Sequence, residues 1–458
     1  MGSVEDALKY IATNEIRWID LHFVDVRGTL HRVSVSNKEV GEDAFVKGLP
    51  VVRLEEVFGK SEQGELSLLP DPDSIARIPW ETSTVRMFCD VMVALSGERF
   101  LKDSRHVAER VESNFQALGI KEARLSSEVE FYIFDTATTD RMTTGRGSGT
   151  LVDSREAPWS PSPLSSVEKG SFLSQPFDSM YPARVQIAET LEESFGYEIR
   201  SHHHGRGRVA QQSVRMGEHP APTAADALLT LKFVTRNLSH AVNSSCTFMP
   251  YPVPGEKGSA LHLSQSLWKT ADNNVFYDGA EKYAQLSQAA RYYIGGILEH
   301  LRALMLFTSP TSNSYKRLAI DPLQVGWSKQ RGNSIVQVPH LLKNTKEARS
   351  IVFSGSDPSI NPHVAFAAVL SAGLDGIRNK IDPGDPLEEE GGGKKKKERA
   401  ALPRNLYEAI EALESDPKFI KGIIPPELLG DYLDLKLGEH RDSLKALSSW
   451  EMEKYFNV

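Results

Sequence analysis

Near the start of the chain, apolar and polar residues alternate over residues 16–24 and again over residues 29–35, with a turn-forming stretch between them. Because successive side chains of a strand point to opposite faces, this pattern predicts a β-hairpin. A helix over residues 4–12, with Ser3 as its N-cap, precedes the hairpin, and a strand over residues 85–95 follows it. Together these elements predict a small β-rich unit.

A second unit is predicted to begin after this strand. Asp103 or Ser104 can cap a helix that ends at Gly119, so we place the domain boundary near residue 101, with domains over residues 1–101 and 102–458. Beyond this helix, strands alternate with long amphipathic helices, which indicates an α+β fold. The expected strands are residues 123–134, 198–204 and 246–249, and the expected helices are residues 182–195, 224–242, 283–306 and 363–380.

Two stretches have the composition of mobile loops. Residues 138–176 are rich in Gly, Ser, Thr and Pro, and residues 388–397 read EEEGGGKKKK, a charge-segregated tract that favours solvent. Either stretch could instead become ordered at a subunit contact, because long loops are often functional.

The composition excludes several classes of protein. Among the 458 residues, 53 are Lys or Arg and 61 are Asp or Glu, and no basic stripe interleaves with aromatic residues, so no nucleic-acid partner is expected. No stretch approaches the roughly 20 apolar residues of a membrane span, and the first residues lack the features of a signal peptide. With only Cys89 and Cys246, a disulfide framework is excluded. We therefore expect a cytoplasmic protein without a membrane partner.

Two glutamates are the first candidates for chemistry. Glu128 and Glu130 lie in the predicted strand SSEVEFYIF, where residues i and i+2 share a face about 6.6 Å apart. Paired carboxylates suit divalent cations that prefer oxygen ligands. Taken alone, the pair is more typical of an exposed strand face that carries two acids.

Histidines and an arginine add weaker signals. His202, His203 and His204 follow one another on a predicted strand, but no nearby Cys, Asp or Glu completes a zinc site, so a polar strand end is the simpler interpretation. His262 follows a glycine-rich turn, and lone strand histidines are usually structural. Arg317 in NSYKR could clamp a phosphate or carboxylate, or form a surface ion pair.

The segments SEVEFYIF (127–134), SHHH (201–204), TFMPYPVPGEKGSALHLSQSL (247–267) and SPTSNSYKRL (309–318) occur in a fixed order, and WEMEKYFNV (450–458) ends the chain. Together they resemble glutamine synthetases of the bacterial and archaeal type over nearly the whole chain. The resemblance implies an N-terminal β-grasp-like domain and a catalytic-fold domain with a curved antiparallel sheet flanked by helices. It also implies a homo-oligomer of two stacked hexameric rings.

The resemblance further implies a chemistry and its residues. Members of the family phosphorylate glutamate with ATP and displace the phosphate with ammonia, and two divalent cations held by glutamates and a histidine neutralise the phosphates. Glu128, Glu130 and His262 match metal ligands of the family, and Ser266 and Arg317 match nucleotide or phosphate contacts.

The sequence departs from the family at the centre of this chemistry. Three carboxylates that the resemblance places around the metals are replaced by Gly205, Ser213 and Val352. Other substrate positions also differ, and we assign no retained catalytic residue. Lys257 replaces an asparagine, Gln337 and Ser354 replace arginines, Ser264 replaces a histidine, and Asp321 lies near but not at the position of the flap glutamate.

Three hypotheses follow from these departures. The first is a glutamine-synthetase-like protein that has lost glutamine formation, needs no cofactor, and acts as a structural or regulatory oligomer, alone or with an active paralogue. The second is an ATP-dependent carboxylate–amine ligase with altered substrate and remodelled Mg²⁺ or Mn²⁺ binding. The third is a sensor whose basic pocket binds an anion.

Overall fold

The computed structural model describes residues 3–59, 64–140, 149–162, 172–329, 332–339, 349–388 and 401–458. The tract at residues 389–397 lies outside the described residues. Of the stretch at residues 138–176, the described part includes a strand pair and a buried glutamate, Glu156, so this part is structured. Among the helices of the described residues, none combines the length and the apolar composition that a membrane span requires.

The N-terminal part contains a mixed sheet around its own hydrophobic core. Ser3 accepts a hydrogen bond from the Asp6 N–H at 3.1 Å and caps the first helix, as predicted, and the predicted hairpin pairs Val24 with Leu30. The elements are α1 (Val4–Thr13), β1 (Trp18–Val24), β2 (Leu30–Ser36), α2 (Ala44–Lys47), β3 (Leu49–Pro50), α3 (Glu55–Phe58), β4 (Leu66–Pro70), β5 (Ala76–Arg77) and β6 (Thr84–Val93).

The strand order of this sheet is β2-β1-β6-β4-β3, with β5 beside β6. Strands β1 and β6 run parallel, whereas the other pairs are antiparallel. The strand predicted over residues 85–95 is therefore the centre of the sheet, and β3, β4 and β5 were not predicted.

The second part begins with a helix that Asp103 caps by accepting the Arg105 N–H at 3.1 Å. Its helices are α4 (Ser104–Gln116), α5 (Tyr181–Glu193), α6 (Ala221–Ala241), α7 (Gln288–Glu299), α8 (Leu301–Thr308), α9 (Ser312–Ile320), α10 (Pro362–Asn379), α11 (Leu406–Ser415), α12 (Pro426–Lys445) and α13 (Ser449–Tyr455). Its strands are β7 (Glu122–Phe134), β8 (Thr136–Asp140), β9 (Gly149–Asp153), β10 (Ile199–His204), β11 (Gln211–Met216), β12 (His219–Pro220), β13 (Ser245–Thr247), β14 (Leu261–Thr270), β15 (Asn273–Asn274), β16 (Gln324–Ser328), β17 (Ser334–Gln337) and β18 (Ile351–Ser356).

The large sheet has the order β10-β11-β7-β14-β18-β17-β16, and its strands pair antiparallel except β16 with β17. Helices α4, α6, α7, α8 and α10 contribute to the hydrophobic core beside it. This arrangement confirms the α+β fold predicted from the sequence. The division into domains at residue 101 stays a prediction.

The helix predicted over residues 283–306 is wrong as a single element. Ser287 caps α7 by accepting the Ala290 N–H at 3.1 Å, so the helix starts later than predicted. His300 then separates α7 from α8. Its ring nitrogens lie 2.5 Å from Asp416 and 2.9 Å from Asp375, contacts that the local pattern does not contain.

Candidate functional site

The candidate site lies across β11, β7 and β14, which are neighbours in the large sheet. Val129 and Phe131 are fully buried in the core, and Glu128 and Glu130 project from the opposite face of β7, as the alternation predicted. Strand β11 places Ser213 opposite Glu130, and β14 places His262 opposite Glu128. The sheet order thus brings these predicted positions together.

Glu128 already has an imidazole partner and a hydroxyl partner. The Nε2 atom of His203 lies 3.5 Å from its carboxylate, and the Ser213 hydroxyl donates to it at 3.4 Å. The hydrogen bond from His203 lowers the pKa of Glu128 to about 2, although burial opposes this, and the nearby charge of His262 helps. The same contact raises the pKa of His203. Glu128 and His203 therefore each favour the charged form of the other.

Glu130 is buried and bound to the backbone. Its carboxylate accepts the Ala260 N–H at 2.8 Å, and its own N–H donates to the Ala260 carbonyl at 2.9 Å. These two bonds fix the carboxylate against the start of β14.

His262 bonds to a residue that the resemblance did not predict as a partner. Its Nδ1 atom lies 3.0 Å from the Ser354 hydroxyl on β18. Val352, two residues earlier, pairs with Ser264 of β14 and with Gln337 of β17. The altered positions on β14, β17 and β18 are therefore neighbours in the sheet.

The three histidines of the triplet lie in three different environments. His202 lies beside the Tyr181 ring, and His203 contacts Glu128. His204 is buried, and its Nε2 atom lies 2.8 Å from the buried carboxylate of Glu156. The prediction of a polar strand end missed these contacts, because both acids come from distant parts of the chain.

Gly205 ends the triplet in a crowded position. A Cβ atom at this glycine would lie 2.7 Å from Cγ of Gln211. The Gln211 amide is held at both ends, because it accepts the Gly207 N–H at 2.7 Å and donates to the Gly258 carbonyl at 3.0 Å. The space beside residue 205 is thus occupied by a fixed side chain.

Basic residues pair with acids around the same region. Lys257 Nζ lies 2.5 Å from one carboxylate oxygen of Asp321, and an Arg206 nitrogen lies 4.0 Å from the other. Arg208 pairs with the buried Glu256 at 2.7 Å. The sequence signal for these pairs was weak, since Lys257 and Asp321 are far apart in the chain.

Arg317 and Ser266, the two residues predicted to contact nucleotide, are both buried. Within the described residues, Nε and Nη2 of Arg317 have no hydrogen-bond partner. The Ser266 hydroxyl instead accepts the Trp268 indole N–H at 2.9 Å. Arg317 therefore has free donors, whereas Ser266 is already engaged, and the nucleotide role of both stays a prediction.

Comparisons with known proteins identify the fold. A family model described as "Glutamine synthetase, catalytic domain" matches residues 101–455, and one described as "Glutamine synthetase, beta-Grasp domain" matches residues 15–94. The chain belongs to the glutamine synthetase family. Glutamine synthetase of Sulfolobus acidocaldarius is 34% identical over 446 residues, covering 95% of this chain and 94% of the relative.

Other relatives match along the full length. Glutamine synthetase of Vibrio cholerae is 31% identical over 476 residues, covering 100% of both chains. A protein of Cupriavidus pinatubonensis named 3-hydroxylaminophenol mutase is 30% identical, covering 100% of this chain and 99% of the relative. The Plasmodium falciparum glutamine synthetase structure superposes with a TM-score of 0.89 at 21% identity, covering 99% of this chain and 100% of that one, and supports the fold alone.

The residues present do not fit the pair of divalent cations implied by the glutamine synthetase family. Mg²⁺ and Mn²⁺ need several oxygen ligands. Here Glu128 is matched by His203 and Glu130 is bound to the backbone. Within the described parts of the chain, no group of three or more His, Cys, Asp or Glu side chains could hold a metal ion. The assignment of Glu128, Glu130 and His262 as remnant ligands stays a prediction.

Proposed function

We propose that this member of the glutamine synthetase family has lost ATP-dependent ligation of glutamate and ammonia and acts as a non-catalytic structural or regulatory oligomer. The observation that carries this proposal is the pairing of Glu128 with His203. A carboxylate that the family resemblance assigns to a cation is here matched by a protein imidazole at 3.5 Å.

The neighbouring positions support the same conclusion. Glycine, serine and valine stand where the resemblance implies carboxylates, at positions 205, 213 and 352, and none of these side chains can supply a negative charge. The crowding of Gly205 against Gln211 means that one substitution would not restore a ligand there without moving a fixed amide.

The chemical consequence concerns phosphoryl transfer. Charge on the transferring phosphoryl group is stabilised mainly by positioned cations and donors. Changes even beyond the direct ligands of a metal commonly cost about 10- to 100-fold in affinity or activity. Loss of three direct carboxylates should therefore abolish the reaction.

The test is glutamine formation by the purified full chain. Protein is incubated with glutamate, ammonia and ATP, with Mg²⁺ or Mn²⁺, and glutamine and phosphate are measured; the Sulfolobus acidocaldarius relative, prepared in parallel, is the positive control. We expect no glutamine above the blank with this chain. Turnover comparable to the control would contradict the proposal.

The oligomer we propose is two stacked hexameric rings. Apolar side chains of the C-terminal residues support a contact with another subunit, because several are exposed in one chain: Trp450, Met452, Tyr455, Phe456 and Val458. Native mass spectrometry should show a dodecamer for the full chain and smaller species for a chain that ends at residue 447. A full-length monomer would contradict the assembly.

A second candidate is an ATP-dependent carboxylate–amine ligase with an altered substrate. The retained residues Glu128 and His262 favour it, because the resemblance assigns both to metal ligands and they lie opposite each other on β7 and β14. The relative named 3-hydroxylaminophenol mutase shows only that a protein similar over its full length can carry the name of another reaction. Only this candidate needs ATP with Mg²⁺ or Mn²⁺. Tight binding of Mg·ATP in calorimetry, with phosphate release that depends on an added amine, would support it over the non-catalytic proposal.

A further inference from the structure

Asp321 occupies a position between two cations. One carboxylate oxygen lies 2.5 Å from Lys257 Nζ, and the other lies 4.0 Å from an Arg206 nitrogen. All three side chains are partly exposed, with relative areas of 25% for Asp321, 33% for Lys257 and 55% for Arg206. An anion from solvent can therefore reach the place where this internal carboxylate lies.

A third cation borders the same place from the protein side. Arg317 is four residues before Asp321, whose N–H donates to the Arg317 carbonyl at 2.9 Å. Its side chain runs against Gly258, because a Cβ there would lie 2.4 Å from Arg317 Cγ. Gly258 follows Lys257 directly, and the charge of Asp321 acts on the Arg317 guanidinium, so both members of the ion pair lie near this arginine.

Arg317 is 3% exposed, yet two of its nitrogens have no partner among the described residues. Glu130 and Asp357 are near enough for their charges to act on the guanidinium, but neither forms a hydrogen bond with it. The Nε and Nη2 atoms form the edge of the guanidinium that binds two oxygens of a phosphate or carboxylate side by side. A buried pair of free donors costs stability unless a ligand or water satisfies it.

We propose that Arg206, Lys257 and Arg317 form a metal-independent site for a phosphate group, in which Asp321 is the internal counter-ion that the phosphate displaces. A phosphate suits three cationic groups better than a carboxylate does, because it offers more oxygens and up to two negative charges. The inference rests on the proposed function, since protein cations replace the metal ions that the family uses. Arg206 and Lys257 both stand at or next to positions where this sequence departs from the family.

The experiment is calorimetric titration of the full chain with inorganic phosphate in a phosphate-free buffer containing EDTA. We expect wild-type protein to bind phosphate, and Asp321→Asn to bind it about 10-fold more tightly or better, because the competing charge is removed. Lys257→Met and Arg317→Met should each weaken binding by about 10-fold or more. No binding by wild type and Asp321→Asn, or equal binding by all four proteins, would overturn the inference.

Asp135→Asn is the matched control. Asp135 pairs with Arg155 at 2.6 Å, and its side chain is 23% exposed, close to the value for Asp321. The Asp135→Asn variant should bind phosphate as wild type does. An increase equal to that of Asp321→Asn would show a general charge effect and overturn the specific site. Thermal unfolding of each variant checks that it is folded.

Two further ligands separate the sources of the phosphate group. ATP and adenosine are titrated in the same EDTA buffer as inorganic phosphate. Binding of ATP or of inorganic phosphate, with the expected effects of the variants, supports the site. Adenosine binding as tight as that of ATP overturns it. Glutamine formation is measured on the same samples. Turnover with Mg²⁺ would refute the non-catalytic function without removing metal-free phosphate binding, whereas absent binding would refute only this inference.

Discussion

Two buried arginines, Arg105 and Arg317, differ in how fully the protein pairs their guanidinium groups. Arg105 of α4 donates to Asp90 at 2.7 Å, to Asp71 at 2.5 Å, and to Asp226 through two nitrogens at 3.1 and 3.2 Å. Arg317 of α9 is as deeply buried, but Nε and Nη2 have no partner among the described residues. The first guanidinium is saturated by the protein, and the second is left with capacity for a ligand.

The pKa directions of the two arginines differ for the same reason. Burial lowers the pKa of Arg105, but the charges of Asp226 and Asp90 more than offset it, so the pKa is raised. For Arg317, burial dominates and the pKa is lowered. Both side chains lose hydration when they are buried. Carboxylates compensate for this loss at Arg105 but not at Arg317.

The largest effect expected from this comparison is that of Arg105→Met. It would leave Asp71, Asp90 and Asp226 without their shared cation, which typically costs about 3–5 kcal/mol. Arg317→Met removes no hydrogen bond from Nε or Nη2 and should cost less than about 1 kcal/mol, or stabilise. Chemical denaturation of both variants measures the difference. Equal losses of unfolding free energy would contradict the distinction.

The next largest effect is the pH dependence of stability that Asp103, next to Arg105, should produce. Burial and the charge of Asp90 raise the pKa of Asp103 from 3.8 to about 6, although Arg99 opposes them. Because the folded state holds this proton more tightly, the contribution of Asp103 is fully present below pH 3.8 and is lost as the pH rises through about 6.

The measurement compares wild type with Asp103→Asn, which cannot titrate. Between pH 4 and 7, the unfolding free energy of wild type should fall relative to the variant by at most about 3 kcal/mol. The cap bond to the Arg105 N–H at 3.1 Å can be kept by the asparagine oxygen. A difference that is constant with pH would show that Asp103 does not titrate in this window.

The sequence predicted the strands of the site better than its contacts. Alternation in SEVEFYIF correctly placed Glu128 and Glu130 on one face, because that pattern is local. The partner of Glu128 could not be predicted, since His203 reaches it only through the strand order β10-β11-β7. The contacts of His300 were missed for the same reason, since Asp375 and Asp416 are distant from it in sequence.

A smaller effect concerns the packing that positions Arg317. In Gly258→Ala, the new Cβ would lie 2.4 Å from Arg317 Cγ and 2.8 Å from the Pro250 carbonyl oxygen. Such overpacking typically costs about 1–3 kcal/mol, and it should also displace the arginine and weaken phosphate binding. Denaturation and calorimetry measure both effects.

Gly430→Ala is the control for this substitution. Gly430 lies within α12, and a Cβ there would meet no atom within 4 Å. Alanine in an open helical position should be neutral or stabilise by about 0.4–1 kcal/mol. If Gly258→Ala were equally harmless, Arg317 would not be held by close contact with residue 258.

The smallest effect on stability should come from Lys257→Met. This small effect separates a ligand-binding cation from a structural cation such as Arg105. The Lys257 and Asp321 side chains are 33% and 25% exposed, and ion pairs in contact with solvent contribute only about 0–1 kcal/mol. The variant should therefore unfold almost as wild type does while it loses most of its phosphate affinity. If the variant instead lost several kcal/mol of unfolding free energy, Lys257 would have a structural role like that of Arg105. If the variant kept its stability but lost its phosphate affinity, Lys257 would have a ligand-binding role like that proposed for Arg317. The reason is that a cation that binds a ligand must be paired weakly enough with its internal partner to be released.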